Sequence, residues 1–145
     1  EKAKLKLAKF CEKDVNRRED FLHKLSLDIV REYDLIAVEH LNVKKMLMTN
    51  SLPYSKELHK NIGELGWYSF ISKLKYKSEW YGKTFIQVDT YYPSSQICSY
   101  CGYKNAEVKN LSVRNWVCPN CNAAHNRDSN ASINILNEGK RLLTA

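Results

Sequence analysis

Four of the five cysteines fall as two Cys-x-x-Cys pairs, Cys98/Cys101 and Cys118/Cys121, with 16 residues between the pairs. Paired thiolates at that spacing let two tight turns close a tetrahedral four-sulfur site, each turn aiming backbone N–H groups at the sulfurs. Gly102 follows the first pair, where a turn that needs positive φ is eased by the missing Cβ, and Pro119 stiffens the second. The competing readings are an iron–sulfur cluster, a redox dithiol and two disulfides. A dithiol needs only one pair, and disulfides fit poorly in a cytosolic chain, so Zn²⁺ is expected on all four sulfurs. A four-thiolate zinc is closed and activates no water, so it holds chain in place. His125 is close enough in sequence to compete as a ligand, but a complete sulfur shell leaves it a surface or supporting group. Cys11, on an apolar helix stripe, is expected to be core.

The 145 residues amount to one domain's worth of chain, and 23 Lys plus Arg against 16 Asp plus Glu leave a net charge of +7 that suggests a polyanion partner. No apolar run approaches the roughly 18 residues that span a bilayer and no secretory leader opens the sequence, so a cytoplasmic home without membrane contact is expected. The sequence starts at Glu1 already inside a helical pattern and reads as the later part of something longer.

Over 1–32, Leu7, Cys11, Val15, Leu22, Leu25 and Ile29 recur at helical spacing, widened by Phe10 and Phe21 and broken by Arg18. The lysines of that helix are interleaved with acids, which makes a solvated face. Leu35 to Val38 form a short unbroken apolar run ending in Glu39, the pattern of a strand buried on both faces. Residues 40–61 read as a long loop, and from about Ile62 to Tyr81 helical spacing returns, closed by Gly82. Residues 84–89 read as a second strand, and the alternation implies an α/β fold with a parallel sheet.

Glu39 sits at the C-terminal end of its strand, where parallel α/β sheets display ligand-binding groups. Asp128 opens the last helix, Asn126 to Leu143. Each acid also has a plainer reading, as a partner of Lys44 or Lys45 for Glu39 and of the helix dipole for Asp128. Asp89, which also ends a strand, is given a structural or secondary role. Asn126, Asn130 and Asn134 make a polar stripe that looks like the wall of a site, with Ala131, Ile135 and Leu136 turned to the sheet. Around the cysteines, Tyr91, Tyr92, Tyr100, Tyr103 and Trp116 mix with Lys104, Lys109 and Arg114. Such a surface suits single-stranded nucleic acid, or else simply packs over a ribbon that has little core of its own.

Three segments carry a family resemblance: Ile36-Ala37-Val38-Glu39-His40-Leu41-Asn42-Val43-Lys44, Tyr92-Pro93-Ser94-Ser95-Gln96-Ile97-Cys98-Ser99-Tyr100-Cys101-Gly102, and Asn126-Arg127-Asp128-Ser129-Asn130-Ala131-Ser132-Ile133-Asn134-Ile135. In this order they resemble the C-terminal half of the TnpB/OrfB family of insertion-sequence transposon proteins, which are similar to type V CRISPR effectors. The resemblance implies a partial RNase H-like (RuvC-like) fold over 1–94 and 123–145, with a zinc ribbon inserted at 95–122. It further implies DNA cleavage directed by a guide RNA with Mg²⁺, with no small-molecule substrate. The family's second and third catalytic acids fall on Glu39 and Asp128, and nucleic-acid contacts are expected at Tyr103, Lys104, Lys109, Arg114 and Arg127. The family's first acid has no counterpart here, so these residues alone are expected not to cut. His40 stands where an acid is common, and Asn126 replaces the first acid of an Asp-Arg-Asp motif. The alternatives are a non-catalytic zinc-ribbon module that binds nucleic acid, or a truncated inactive transposon product.

Overall fold

The computed structural model describes residues 1–42 and 66–144. The elements run α1 (Lys2–Glu32), β1 (Leu35–Glu39), α2 (Trp67–Trp80), β2 (Thr84–Val88), a 3-10 turn (Ala106–Lys109), β3 (Asn115–Val117), β4 (Ala124–Asn126) and α3 (Arg127–Leu143). Helices and strands mix as an α/β chain should. Residues 43–65, including most of the expected loop, Lys44, Lys45 and the start expected for α2 at Ile62, lie outside the described residues. The described chain divides into two compact units, Glu1–Ile36 with Asn42–Phe85, and Ala37–Leu41 with Ile86–Ala145.

In the first unit α1 packs against α2. At about 1.5 Å per residue, 31 residues of α1 reach about 46 Å and 14 of α2 only about 21 Å, so α2 can cover no more than half of its partner. The covered half buries Leu22, Ser26 and Val30, with Leu74 and Ser78 buried on α2. The seam also buries Lys73 and Lys77, which the apolar pattern alone does not announce. Lys73 Nζ donates to Glu19 at 2.6 Å and to Ser69, and Lys77 Nζ reaches Ser26 Oγ at 2.8 Å and the His23 carbonyl. Burial, ahead of the neighbouring Lys73 charge, pulls the Lys77 ammonium down, and the Lys73 bond holds Glu19 below the usual carboxylate range. The other half of α1 overturns an expectation: Leu7 and Phe10 are 64% and 63% exposed, and Cys11 is exposed rather than core. α2 stops as expected at Gly82, whose φ of 62° lets Lys83 N–H reach the Ser78 carbonyl and Gly82 N–H reach that of Glu79.

β1 and β2 form a two-stranded sheet. Thr84 N–H bonds the Asp34 carbonyl where both strands begin, and His40 N–H bonds the Val88 carbonyl where both end, so they run in the same direction. Only Ile36 of β1 is fully buried, which corrects the expectation of a strand covered on both faces. In the second unit α3 lies against the strands at Gly139, where a Cβ would come within 2.8 Å of Ala37 Cβ and 3.7 Å of Ile86 Cγ2. β3 and β4 form an antiparallel hairpin in which Trp116 faces His125. Beneath it Cys98, Val108, Trp116 and Cys118 make a small core with Val113 against it.

Gly139 opposes two magnitudes. Helix propensity favours Ala over Gly by about 1 kcal/mol, whereas forcing a methyl group against Ala37 costs about 1–3 kcal/mol, and a branched side chain adds bulk without the full propensity gain. Gly139→Val is therefore expected to lower stability by about 2 kcal/mol in chemical denaturation, and a stabilised variant would contradict the close approach.

Candidate metal centre and acid cleft

The two Cys-x-x-Cys turns are built alike. Cys98 N–H bonds the Tyr103 carbonyl and Gly102 N–H bonds that of Cys98, while Cys118 N–H bonds the Ala123 carbonyl and Asn122 N–H bonds that of Cys118. In each turn the residue after the second cysteine has positive φ, 77° at Gly102 and 59° at Asn122. Asparagine is among the few residues with a side chain that tolerate this conformation. The turns bring all four sulfurs within 4.8 Å of one another, with Cys98–Cys121 and Cys101–Cys118 at 3.6 Å. Zinc–sulfur bonds of about 2.3 Å in a tetrahedron place sulfurs about 3.8 Å apart, so both the donor set and its spacing fit zinc.

Four thiols this close resist losing all their protons. The Asn120 amide and the Tyr103 N–H lower Cys101 to about 6. Cys121 has the Ala123 N–H bond to lower it, yet burial and the neighbouring cysteines push it up to about 12. A dication held among the four sulfurs would remove that opposition by stabilising every thiolate. His125 is buried, not on the surface, with Nε2 3.1 Å from Cys98 Sγ and its ring 4.7 Å from that of Trp116. It supports a sulfur rather than replacing one. Trp116 is likewise core, while Tyr91 and Tyr100 stand open to solvent.

A cleft of about 440 Å³ is lined by Glu39 from the end of β1, Thr90–Gln96 from the chain after β2, and Arg127, Asp128 and Ala131 from the start of α3. The two acids read from sequence thus line one concavity. Burial pushes the Glu39 carboxyl up. Asp128 is exposed and faces Arg114 at 3.7 Å. Asn126 caps α3, its side chain accepting from the N–H groups of Asp128 and Ser129. Thr90 Oγ1 donates to the His40 carbonyl and lies 3.1 Å from His40 Nδ1, tying the ends of the two strands. Asp89 Oδ1 accepts from Tyr91 N–H, a turn contact that fits a structural role.

Asn130 and Asn134 do not wall this cleft. Both are buried, and their amides bond the backbone of Ser94, Ile97 and Ser99, while Ile133 and Leu136, one of the residues expected to face the sheet, are exposed. Of the expected nucleic-acid contacts, Tyr103 and Lys104 line a groove of about 450 Å³ with Glu107 and Pro119. Lys109 ends the 3-10 turn, and Arg114 and Arg127 stand beside Asp128 with Arg127 N–H on the Arg114 carbonyl. The basic residues form two groups, one on the ribbon and one at the acids.

Residues 1–50 match a family model described as probable transposase, of the OrfB type, and residues 67–135 match one described as Cas12f1-like, TNB domain. A candidate RNA-guided DNA endonuclease of Streptomyces pristinaespiralis is 38% identical over 95% of the chain and 32% of its own length. A candidate RNA-guided DNA endonuclease of Escherichia coli is 30% identical over 99% of the chain and 37% of its own length, and a TnpB-like protein of Methanocaldococcus jannaschii is 31% identical over 95% and 30%. The chain thus spans about a third of the length of these relatives. Among solved structures, a Cas12f1–sgRNA–target DNA complex contains a chain that matches with a TM-score of 0.57 at 22% identity, over 88% of this chain and 35% of that one.

Cys118→Ser is expected to lower bound zinc at least about tenfold by elemental analysis and to loosen the Val108/Trp116 core, whereas retained metal would contradict four-sulfur ligation. Acidification is expected to release the metal as protons return to the thiolates, which a chelating dye reports; metal retained in strong acid would contradict thiolate ligation. Gly102→Val is expected to cost about 1–2 kcal/mol at its positive φ, whereas Asn122→Gly costs nothing or stabilises.

Proposed function

For a chain that belongs to the TnpB/OrfB family, we propose the role of a metal-holding portion of an RNA-guided DNA endonuclease. On this reading residues 1–94 and 123–145 are the later part of a RuvC-like domain of RNase H-like fold, and residues 95–122 are a zinc ribbon inserted in it. Two neighbouring strands running the same way, with a helix laid on them at Gly139, suit such a sheet. The observation that carries the proposal is that Glu39 and Asp128 line one cleft.

Mg²⁺ prefers carboxylate and water oxygens, so these two acids suit it and the cysteines suit zinc. Bound divalent metal supplies the activation of water and the stabilisation of a leaving oxygen that cutting a phosphodiester needs. The remaining work belongs to side chains. Burial raises the Glu39 carboxyl, and a dication held beside it would offset that and favour the ionised form. Arg127 stands in the cleft, and Arg114 holds Asp128 only through an exposed contact worth under about 1 kcal/mol, so its guanidinium is free to turn to a phosphate. The Thr90–His40 contact and the Asn126 cap hold the backbones that carry Glu39 and Asp128. On the ribbon, Tyr103 and Lys104 offer a stacking ring and a cation along a groove, with Lys109 nearby in sequence, as single-stranded DNA or guide RNA would require. With two acids of the expected three, the 145 residues contribute to cutting without completing the centre.

In the whole protein, Glu39→Gln and Asp128→Asn are each expected to lower Mg²⁺-dependent DNA cleavage at least about 100-fold while guide-RNA binding persists, and undiminished cutting would sink the assignment. The 145-residue chain alone is expected not to cut. Lys104→Ala should weaken binding of nucleic acid uniformly across sequences and reduce the salt slope by about 1.

A further inference from the structure

We propose that Asn130 and Asn134 are positioning residues that couple the four-thiol knuckle to the acid cleft, so that metal on the cysteines steadies Asp128 as a ligand for the second metal. The inference rests on the reading of Asp128 as a metal ligand and adds the link between the two centres.

Successive helix residues are rotated by about 100°, so Asp128 and Asn130 stand about 200° apart on the first turn of α3 while Asn130 and Asn134 share one side. Asp128 is on the open side. On the other side Asn130, 2% exposed, accepts from Ser99 N–H at 2.9 Å and donates to the Ile97 carbonyl at 2.7 Å. Asn134, 4% exposed, donates to the carbonyls of Ser94 at 2.8 Å and Ile97 at 2.6 Å. Ser99 lies between Cys98 and Cys101, so one amide grips the knuckle itself. Ser94, Ser95 and Gln96 line the acid cleft just before that knuckle. One short strap therefore borders both centres and is fastened to the helix that presents Asp128.

The side-chain type matters. An amide of this reach accepts from Ser99 and donates to Ile97 at once; a carboxylate loses the donor and an aliphatic group loses both. Losing these bonds would leave buried backbone groups without partners, which is costly enough to transmit movement of the strap rather than absorb it. Coupling of this kind is reciprocal, so each metal should tighten the other by the same factor.

The test measures Mn²⁺ affinity by electron paramagnetic resonance, and amide hydrogen exchange over residues 128–131, on the zinc-loaded chain and after zinc is chelated. Removing zinc is expected to weaken Mn²⁺ binding about tenfold and to speed exchange at those amides about tenfold, the loss of roughly one buried hydrogen bond. Saturating Mn²⁺ should slow zinc release by a like factor. Asn130→Leu should still bind zinc but with Mn²⁺ affinity no longer dependent on it, a loss of coupling that general weakening does not mimic, while Ser132→Ala should keep the coupling intact. Unchanged Mn²⁺ affinity and unchanged exchange on zinc removal would overturn the proposal, a comparison that needs no variant to fold. If the zinc-loaded chain binds no Mn²⁺, the reading of Asp128 as a metal ligand within this chain fails while the cleavage test on the whole protein stands, and the exchange comparison alone then decides the amide coupling, unchanged rates overturning it.

Discussion

Four sulfurs can share one ion only if the backbone turns sharply twice, and much of the second unit follows from that demand. The turns need positive φ at Gly102 and Asn122, and each is closed by a bond back to the carbonyl of its first cysteine. The chain between the pairs carries only the 3-10 turn and β3, which pairs with β4 beyond the second knuckle, and the core of four residues there includes two of the cysteines. So small a core contributes little by itself, and a metal held by the four sulfurs would supply part of the folding free energy of the ribbon. His125 and Trp116 fill the space behind the sulfurs, and α3 departs immediately after β4, so the knuckle also determines where Asp128 is presented.

The first unit solves a different problem, packing a long helix against a short one across a seam with polar groups in it. Ser26 and Ser78 turn their hydroxyls back to the Leu22 and Leu74 carbonyls, leaving small surfaces at the contact. Lys73 meets Glu19 and Ser69, and Lys77 donates to the Ser26 hydroxyl and the His23 carbonyl. Buried ions of this kind add little net stability, but a shifted alignment would strand them, and that penalty favours one pairing of the helices. Along the uncovered half of α1, Leu7, Phe10 and Val15 remain exposed.

Elements with a strong period were legible in the sequence. The cysteine spacing led to four converging sulfurs, the apolar run ending in Glu39 led to β1, and Gly82 marked the end of α2. Where the structure departs from the pattern, the deciding factor is a packing partner that a single segment does not encode. An apolar stripe reports a wish for burial, not that a neighbour is long enough to provide it, and Cys11 and Phe10 lie on the stripe yet stay exposed. A polar stripe normally faces water, yet the amides of Asn130 and Asn134 face inward because the strap of residues 94–99 offers backbone groups with no strand to pair them. Period alone cannot distinguish an amide that meets solvent from one that meets unpaired backbone. The buried lysines of α2 are hidden from the pattern for the same reason, since their acceptors are the Glu19 carboxylate, the Ser26 hydroxyl and the His23 carbonyl on α1, with the Ser69 hydroxyl on α2 itself.

The central claim is that one unit holds two different metals, a soft-ligand knuckle and a hard-ligand cleft, joined through α3. Anomalous diffraction from crystals of the zinc-loaded protein soaked in Mn²⁺, recorded at both absorption edges, tests it directly. The account predicts a zinc peak about 2.3 Å from each of Cys98, Cys101, Cys118 and Cys121, and a manganese peak in the cleft between Glu39 and Asp128. A zinc peak that lacks any of the four sulfurs, or a cleft without manganese, would contradict it.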